Sequence, residues 1–239
     1  MKNTLSLAPI SIEDIRKVIQ DELLSESKSV QRKLQYIALE ETVEYIQKNM
    51  QHVNSVISRY DLLTICMSNL SKENNGLICE FGVYVGNSIN HIAMLTKRTV
   101  YGFDSFKGLP ERWRDRFDKG SFKMDKLPKV EKNVKLIQGL FHQTIPDFLE
   151  KHDGNLSLLH IDCDIYSSAK TIFETIGDRI VPGTIIAFDD FFNYPGWKQG
   201  EFKAFSEFIE NSGLKFEYIG FNRCSEQVAI KIISHNNSL

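Results

Sequence analysis

Residues 77–88 read Leu77-Ile78-Cys79-Glu80-Phe81-Gly82-Val83-Tyr84-Val85-Gly86-Asn87-Ser88. The stretch begins as a short apolar run, the mark of a buried strand. It breaks into a turn holding Gly82 and Gly86, then resumes as a helix expected to be capped by Asn87 or Ser88. Strand, glycine turn and helix is how open α/β sheets take nucleotide-like ligands, because glycine lets backbone and ligand approach closely. The spacing is G-x-x-x-G rather than the G-x-G-x-x-G of a dinucleotide fingerprint. Glu80, at the end of the apolar run, suits a ligand with a positive end or sugar hydroxyls better than a pyrophosphate.

Outward from this point, short apolar runs recur at 100–104, 134–138, 156–161 and 184–188, with helical segments near 88–97, 144–152 and 167–178. Such alternation predicts a parallel sheet with right-handed crossovers. The tail departs from it. Runs 216–221 and 227–232 are joined only by 222–226, too short for a crossover, so the last strand is expected to turn back antiparallel. Upstream, residues 1–76 read as helices. Ser11 and Asp14 resemble a capping box ahead of Ile15, Val18, Ile19 and Leu23. A second helix is expected from Val30 to Asn49 and a third from Tyr60 to Leu70. The expected organisation is a helical cap over 1–76 and a ligand-binding domain over 77–239, one continuous domain overall.

The 239 residues suffice for one α/β domain with appended helices. A net charge of −2 suggests no polyanionic partner, so no nucleic acid is expected. The four cysteines, Cys66, Cys79, Cys163 and Cys224, stand apart without a C-x-x-C, as reduced thiols in a cytosol do. No run of about eighteen apolar residues and no signal-like apolar leader occur, so the expectation is a soluble, cytoplasmic protein without a membrane partner.

The run 100–104 ends in Asp104, about twenty residues beyond Gly82, where an acid receives ribose hydroxyls in this fold class; Asp104 could also cap the loop that follows. Segment 107–133 is long for a connection and mixes Arg112, Trp113, Arg114, Phe117 and Phe122. It suits a lid over an acceptor, or a solvated loop. Two further runs end His160-Ile161-Asp162-Cys163-Asp164 and Phe188-Asp189-Asp190. Acids gathered at neighbouring strand ends repel one another unless a cation lies between them. An oxygen-only donor set points to a hard ion, Mg²⁺ first, with Mn²⁺ or Ca²⁺ open.

These residues carry a resemblance. Glu80-x-Gly82-x-Tyr84-x-Gly86-x-Ser88 resembles motif I of S-adenosylmethionine (SAM) dependent methyltransferases. Phe103-Asp104-Ser105-Phe106-x-Gly108-Leu109-Pro110 resembles the macrocin-type, metal-dependent sugar O-methyltransferases. The resemblance implies an α/β, Rossmann-like class I methyltransferase fold, its parallel sheet ending in an antiparallel hairpin strand behind an N-terminal helical extension. It implies SAM contacts from Glu80, Gly82, Tyr84, Gly86, Asn87, Ser88, Asp104, Ser105, Gln138, Gly139 and Asp162. It also implies Mg²⁺ held by Asp162, Asp189 and Asp190, with Asp164 left aside because it aligns less well.

Asp162 is then the candidate base, with His142 the alternative. The catechol-type pattern has a Lys three residues after that Asp, whereas here position 165 is Ile. Within Asn193-Tyr194-Pro195-Gly196-Trp197, Trp197 could wall an acceptor pocket or pack on the next helix. The implied activity is Mg²⁺-assisted methylation of a hydroxyl on a sugar or other polyhydroxylated small molecule, by a homo-oligomer. Alternatives are a metal-independent N- or O-methyltransferase and a non-catalytic SAM-binding module. A nicotinamide-dependent oxidoreductase is the least favoured.

Overall fold

The computed structural model describes residues 11–71 and 75–235. In chain order the helices are α1 (Ile12–Ser27), α2 (Val30–Asn49), α3 (Arg59–Ser68), α4 (Asn87–Met94), α5 (Phe141–Leu149), α6 (Tyr166–Ile176) and α7 (Glu201–Ser212). The strands are β1 (Ser55–Val56), β2 (Leu77–Phe81), β3 (Val100–Asp104), β4 (Val134–Gln138), β5 (Leu156–Ile161), β6 (Ile185–Phe188), β7 (Leu214–Asn222) and β8 (Val228–His235). They form one sheet in the order β1-β7-β8-β6-β5-β2-β3-β4. Every pairing is parallel except those of β8, which runs antiparallel to both β6 and β7. This is the α/β sheet with a terminal hairpin that the apolar runs predict. The two-residue β1, paired to β7, is an addition from within the segment that reads as helical.

The central strands are apolar on both faces because helices cover both faces. Along β2, Ile78 faces α3 and α4 with Leu62, Leu63, Ile89 and Ile92, whereas Cys79 and Phe81 face the opposite layer with Ile145, Ile172 and Trp197. Fully burying a side chain of this size stabilises the fold by roughly 1.5–3 kcal/mol relative to leaving it in water. The placement of β5, β2 and β3 inside the sheet, away from its two edges, accords with that burial.

At the N-terminus the reciprocal hydrogen bonds of a capping box are present: Asp14 N–H donates to Ser11 Oγ, and Ser11 N–H donates to Asp14 Oδ2. The side chain of Leu23 lies outside the described residues. Helix α1 leaves Ile12, Ile15, Val18 and Ile19 exposed. Helix α2 sits over the loop after β6, where Gln35 Nε2 donates to Asn193 O at 2.7 Å and Thr42 Oγ1 accepts from Asn193 N–H at 2.9 Å. Among the described residues no helix is long and apolar enough to cross a membrane.

The cap of α4 differs from expectation. Gly86 occupies the cap position with φ 84°, Asn87 is the first helical residue, and neither Asn87 nor Ser88 caps. The turn closes through Gly86 N–H onto Val83 O at 2.8 Å, which forces a left-handed residue there and favours glycine. Ser88 is then turned inward, where its Oγ donates to Glu80 Oε1 at 3.1 Å.

Candidate active site

A cavity of about 480 Å³ opens over the carboxyl ends of β2, β3, β5 and β6, within the usual range for a small-molecule or cofactor site. Its wall starts at the crook after β2. Gly82 has φ 96°, and a Cβ there would lie 1.7 Å from Asp162 O. The chain leaving β5 thus passes directly against Gly82, and only glycine admits it. The crook is welded to the neighbouring strand end by Asp104. Its Oδ2 accepts from Val83 and Tyr84 N–H, each at 2.9 Å, and its Oδ1 accepts from Phe106 N–H at 2.7 Å. Asp104 lines the cavity and shapes two loops, which is the loop-capping reading of this residue.

Of the residues that the resemblance assigns to the cofactor, Gly82, Tyr84, Asp104, Ser105, Gly139 and Asp162 line the cavity; Glu80, Gly86, Asn87, Ser88 and Gln138 do not. Glu80 is fully buried beneath the floor, bonded through Oε1 to Ser88 and through Oε2 to His160 Nδ1 at 2.8 Å. It supports the floor instead of offering an open carboxylate, because its neighbours already use both oxygens. His142 lies on the rim, in the first turn of α5. Trp197 is fully buried against Tyr45 and Phe202, with ring centroids 5.6 and 4.7 Å away. It therefore packs, and does not wall the cavity. Ile165 is buried at the start of α6, so no polar group occupies that position.

The acids do converge. β5 and β6 are adjacent and parallel, and Asp189 N–H donates to Ile161 O at 2.9 Å, which brings the two strand ends level. Donor atoms of His160, Asp162 and Asp189 fall within 4.8 Å of one another, as do those of Asp162, Asp164 and Asp190. The expected trio is thus split between two clusters that share Asp162, and Asp164, set aside on sequence grounds, joins the second. The D-x-D spacing of Asp162 and Asp164 was the available signal, since alternate residues beyond a strand end can both turn toward one site. Asp164 has φ 66°, a left-handed backbone that Asp tolerates better than most residues.

Two arginines that the sequence does not single out as site residues border the acids. Arg59, the first residue of α3, lies 3.0 Å from Asp189 Oδ2 and 3.9 Å from Asp162 Oδ2. Arg114, from the long loop, lies 3.9 Å from Asp190 and donates through Nη1 to both oxygens of Glu226 at 3.1 Å. Its guanidinium stacks 3.7 Å from the Trp113 ring centroid and 4.8 Å from that of Tyr194. Phe117 and Phe122 stack on each other at 5.2 Å and also line the cavity. Segment 107–133 is therefore a folded wall of the cavity. Gly108 pins it, since a Cβ there would lie 2.4 Å from Gly120 O.

Burial, followed by mutual repulsion, holds the carboxyls above their ordinary range. Burial and the charges of Asp189 and Asp164 push Asp162 well up. Burial, with Asp164 and Asp189 nearby, does the same to Asp190. Burial raises Asp189 against the opposing pull of Arg59 and His160. Asp164 is pushed up to about 7 and Glu201 to about 8, burial being the first cause in both. Glu201 is fully buried and accepts from Cys163 and Asp164 N–H at 3.0 and 3.2 Å and from Asp190 N–H at 3.4 Å. It ties the two acid-bearing loops together from the start of α7.

A carboxyl with a raised folded pKa binds its proton more tightly when folded, so its deprotonation destabilises the fold as pH rises. With chelator present, the melting temperature is expected to fall between about pH 5 and about pH 8. The upper edge of that window is where Asp164 and Glu201 lose their protons, at about 7 and about 8. Thermal melts across the range check this; a melting temperature that climbs with pH would contradict it.

Residues 79–191, just under half of the chain, match the family described as methyltransferase domain. The enzyme class is that of the SAM-dependent methyltransferases, as the glycine crook leads one to expect. Among solved structures, the O-methyltransferase NovP is similar at TM-score 0.58 and 19% identity, over 73% of this chain and 79% of that one. CalS11, a calicheamicin methyltransferase, is similar at TM-score 0.57 and 20% identity, over 97% of both chains. These likenesses concern the fold. No curated sequence matches.

Proposed function

We propose that this protein is a SAM-dependent O-methyltransferase, Mg²⁺-assisted, acting on a hydroxyl of a sugar or another polyhydroxylated small molecule in the cytoplasm. The observation that carries the reading is Asp189 Oδ1, a buried carboxylate oxygen without a hydrogen-bond partner among the described residues, in a residue that lines the cavity beside Asp162, Asp164 and Asp190. A desolvated carboxylate oxygen left unpaired is costly unless a ligand supplies its partner. The all-oxygen set of Asp162, Asp164 and Asp190 fits a hard divalent cation, and the adjoining set adds a ring nitrogen of His160 to oxygens of Asp162 and Asp189. When bound, such an ion acidifies a coordinated hydroxyl and orients it.

The remaining work falls to the chain. The crook at Gly82 and the carboxylate of Asp104 hold the cofactor's nucleoside end. The rings of Trp113, Phe117 and Phe122 enclose the acceptor and exclude water. The acceptor oxygen attacks the sulfonium methyl carbon in line; the carbon–sulfur bond breaks toward sulfur, leaving S-adenosylhomocysteine. The hydroxyl proton passes to Asp162, the carboxylate common to both acid clusters on the cavity. Orientation supplies most of the acceleration in such a transfer. NovP, itself described as an O-methyltransferase, supports oxygen as the acceptor atom, and four free cysteines support a reducing compartment.

The test is release of S-adenosylhomocysteine over a panel of sugars and polyols, with and without chelator. Turnover should fall by about 10²-fold or more in chelator and return with added Mg²⁺. Full activity in chelator would favour a metal-independent methyltransferase. Tight SAM binding with no turnover on any acceptor would favour a binding module.

A further inference from the structure

We infer that Arg59 is a built-in counter-cation of the acidic cluster, which a divalent ion must displace, so that this residue sets how tightly the site takes metal. The inference rests on the metal reading above and extends it to a residue outside the expected ligand set. Its guanidinium sits 3.0 Å from Asp189 Oδ2 and 3.9 Å from Asp162 Oδ2, against two acids that the metal reading needs. A divalent ion taken by Asp189 Oδ1, the oxygen of that carboxylate left without a partner, would stand beside a guanidinium on its Oδ2, and the two cations repel strongly in a desolvated site.

The pair is also lopsided. The Asp189 side chain is 7% exposed and that of Arg59 is 42% exposed. The arginine can swing toward water at small cost, whereas the carboxylate must keep a cation. The backbone beneath Arg59 is held firmly. Ser58 caps α3, Leu62, Leu63 and Cys66 are buried on the sheet, and Arg223 N–H donates to Val56 O at 2.9 Å. Movement is thus confined to the side chain. A cation in the first turn of a helix is also disfavoured by the helix dipole, a cost that the acids facing Arg59 offset.

Arg114 makes the contrast. It also borders the cluster, but Glu226 holds it through two hydrogen bonds and Trp113 and Tyr194 sandwich it. Of these two arginines, Arg59 is the one free to leave.

Mn²⁺ binding to the SAM-free full chain, followed by electron paramagnetic resonance, and Mg²⁺ binding by calorimetry read this directly. Arg59→Ala should bind Mn²⁺ about tenfold more tightly than the parent, as expected if the arginine occupies the acids about nine-tenths of the time. Arg59→Lys should fall between the two, and Arg114→Ala should show no such gain. Thermal melts confirm folding, and Arg59→Gln serves if Arg59→Ala fails to fold. Binding by the parent with equal or weaker binding by the Arg59 variants would overturn the inference and leave the metal reading standing. Absence of Mn²⁺ binding in the parent and all variants would overturn both.

Discussion

Asparagine in place of Asp162 is expected to lower kcat by about 10³-fold while leaving SAM binding largely unchanged. The carboxylate is the only group shared by the two acid clusters, and in the proposed chemistry it also takes the acceptor proton. Its amide isostere keeps the shape but can neither accept the proton nor neutralise a cation. The cofactor should still bind, because the crook at Gly82 touches the backbone of residue 162 and not its side chain. Stability supplies an independent check. Burial and neighbouring acids push the Asp162 carboxyl well above its usual range despite Arg59, so in metal-free protein the charged form is a liability. Asp162→Asn should therefore melt at the same temperature as the parent or higher at neutral pH. Calorimetry with SAM, S-adenosylhomocysteine release and thermal melts together test this; parental turnover would remove Asp162 from both of its proposed roles.

Alanine in place of Gly82 should have the largest effect on the fold. A Cβ at this position would lie 1.7 Å from Asp162 O, and φ is 96°. Backbone strain in the left-handed region accounts for roughly 1–3 kcal/mol, and relieving the overlap requires β2 and the chain after β5 to part. A total loss of about 3 kcal/mol or more is expected, a fall of roughly 6–12 °C in melting temperature for a chain of this size. SAM affinity should fall with it, since the same displacement moves Val83 and Tyr84 off Asp104. Gly154→Ala is the internal control. Gly154 has φ 108° but open space where its Cβ would stand, so it carries the strain without the collision and should lose only about 1 kcal/mol. Urea denaturation of the two variants separates the contributions. Equal losses would mean that the close approach at Gly82 is relieved without consequence.

The parts of the site that were legible in the sequence are those written in contiguous residues. The apolar runs ending at Phe81, Asp104, Gln138, Ile161 and Phe188 are all strand ends in the structure, because a strand covered by helices on both faces must be apolar along its length. Asp162, Asp189 and Asp190 could be located for the same reason: they follow directly on two such runs. What failed was side-chain detail. Glu80 reads as an open acid but is fully engaged by Ser88 and His160, and His160 comes from a strand that is a neighbour only in the folded sheet. The helix cap moved from Asn87 or Ser88 to Gly86 because the turn needed a left-handed residue there.

Arg59 and Glu201 carry no local signal at all. One is an arginine at an ordinary helix start and the other an acid in the first turn of a helix, where acids are common. By itself the sequence determined the order of strands and helices, the glycine crook and the strand-end acids, since periodicity and turn chemistry act over a few residues. The tertiary structure alone decided which charges share a cavity, which carboxylate oxygen is left without a partner, and which cation stands beside it. Those are properties of desolvation and of distances between groups far apart in the chain, and neither exists until the sheet has closed.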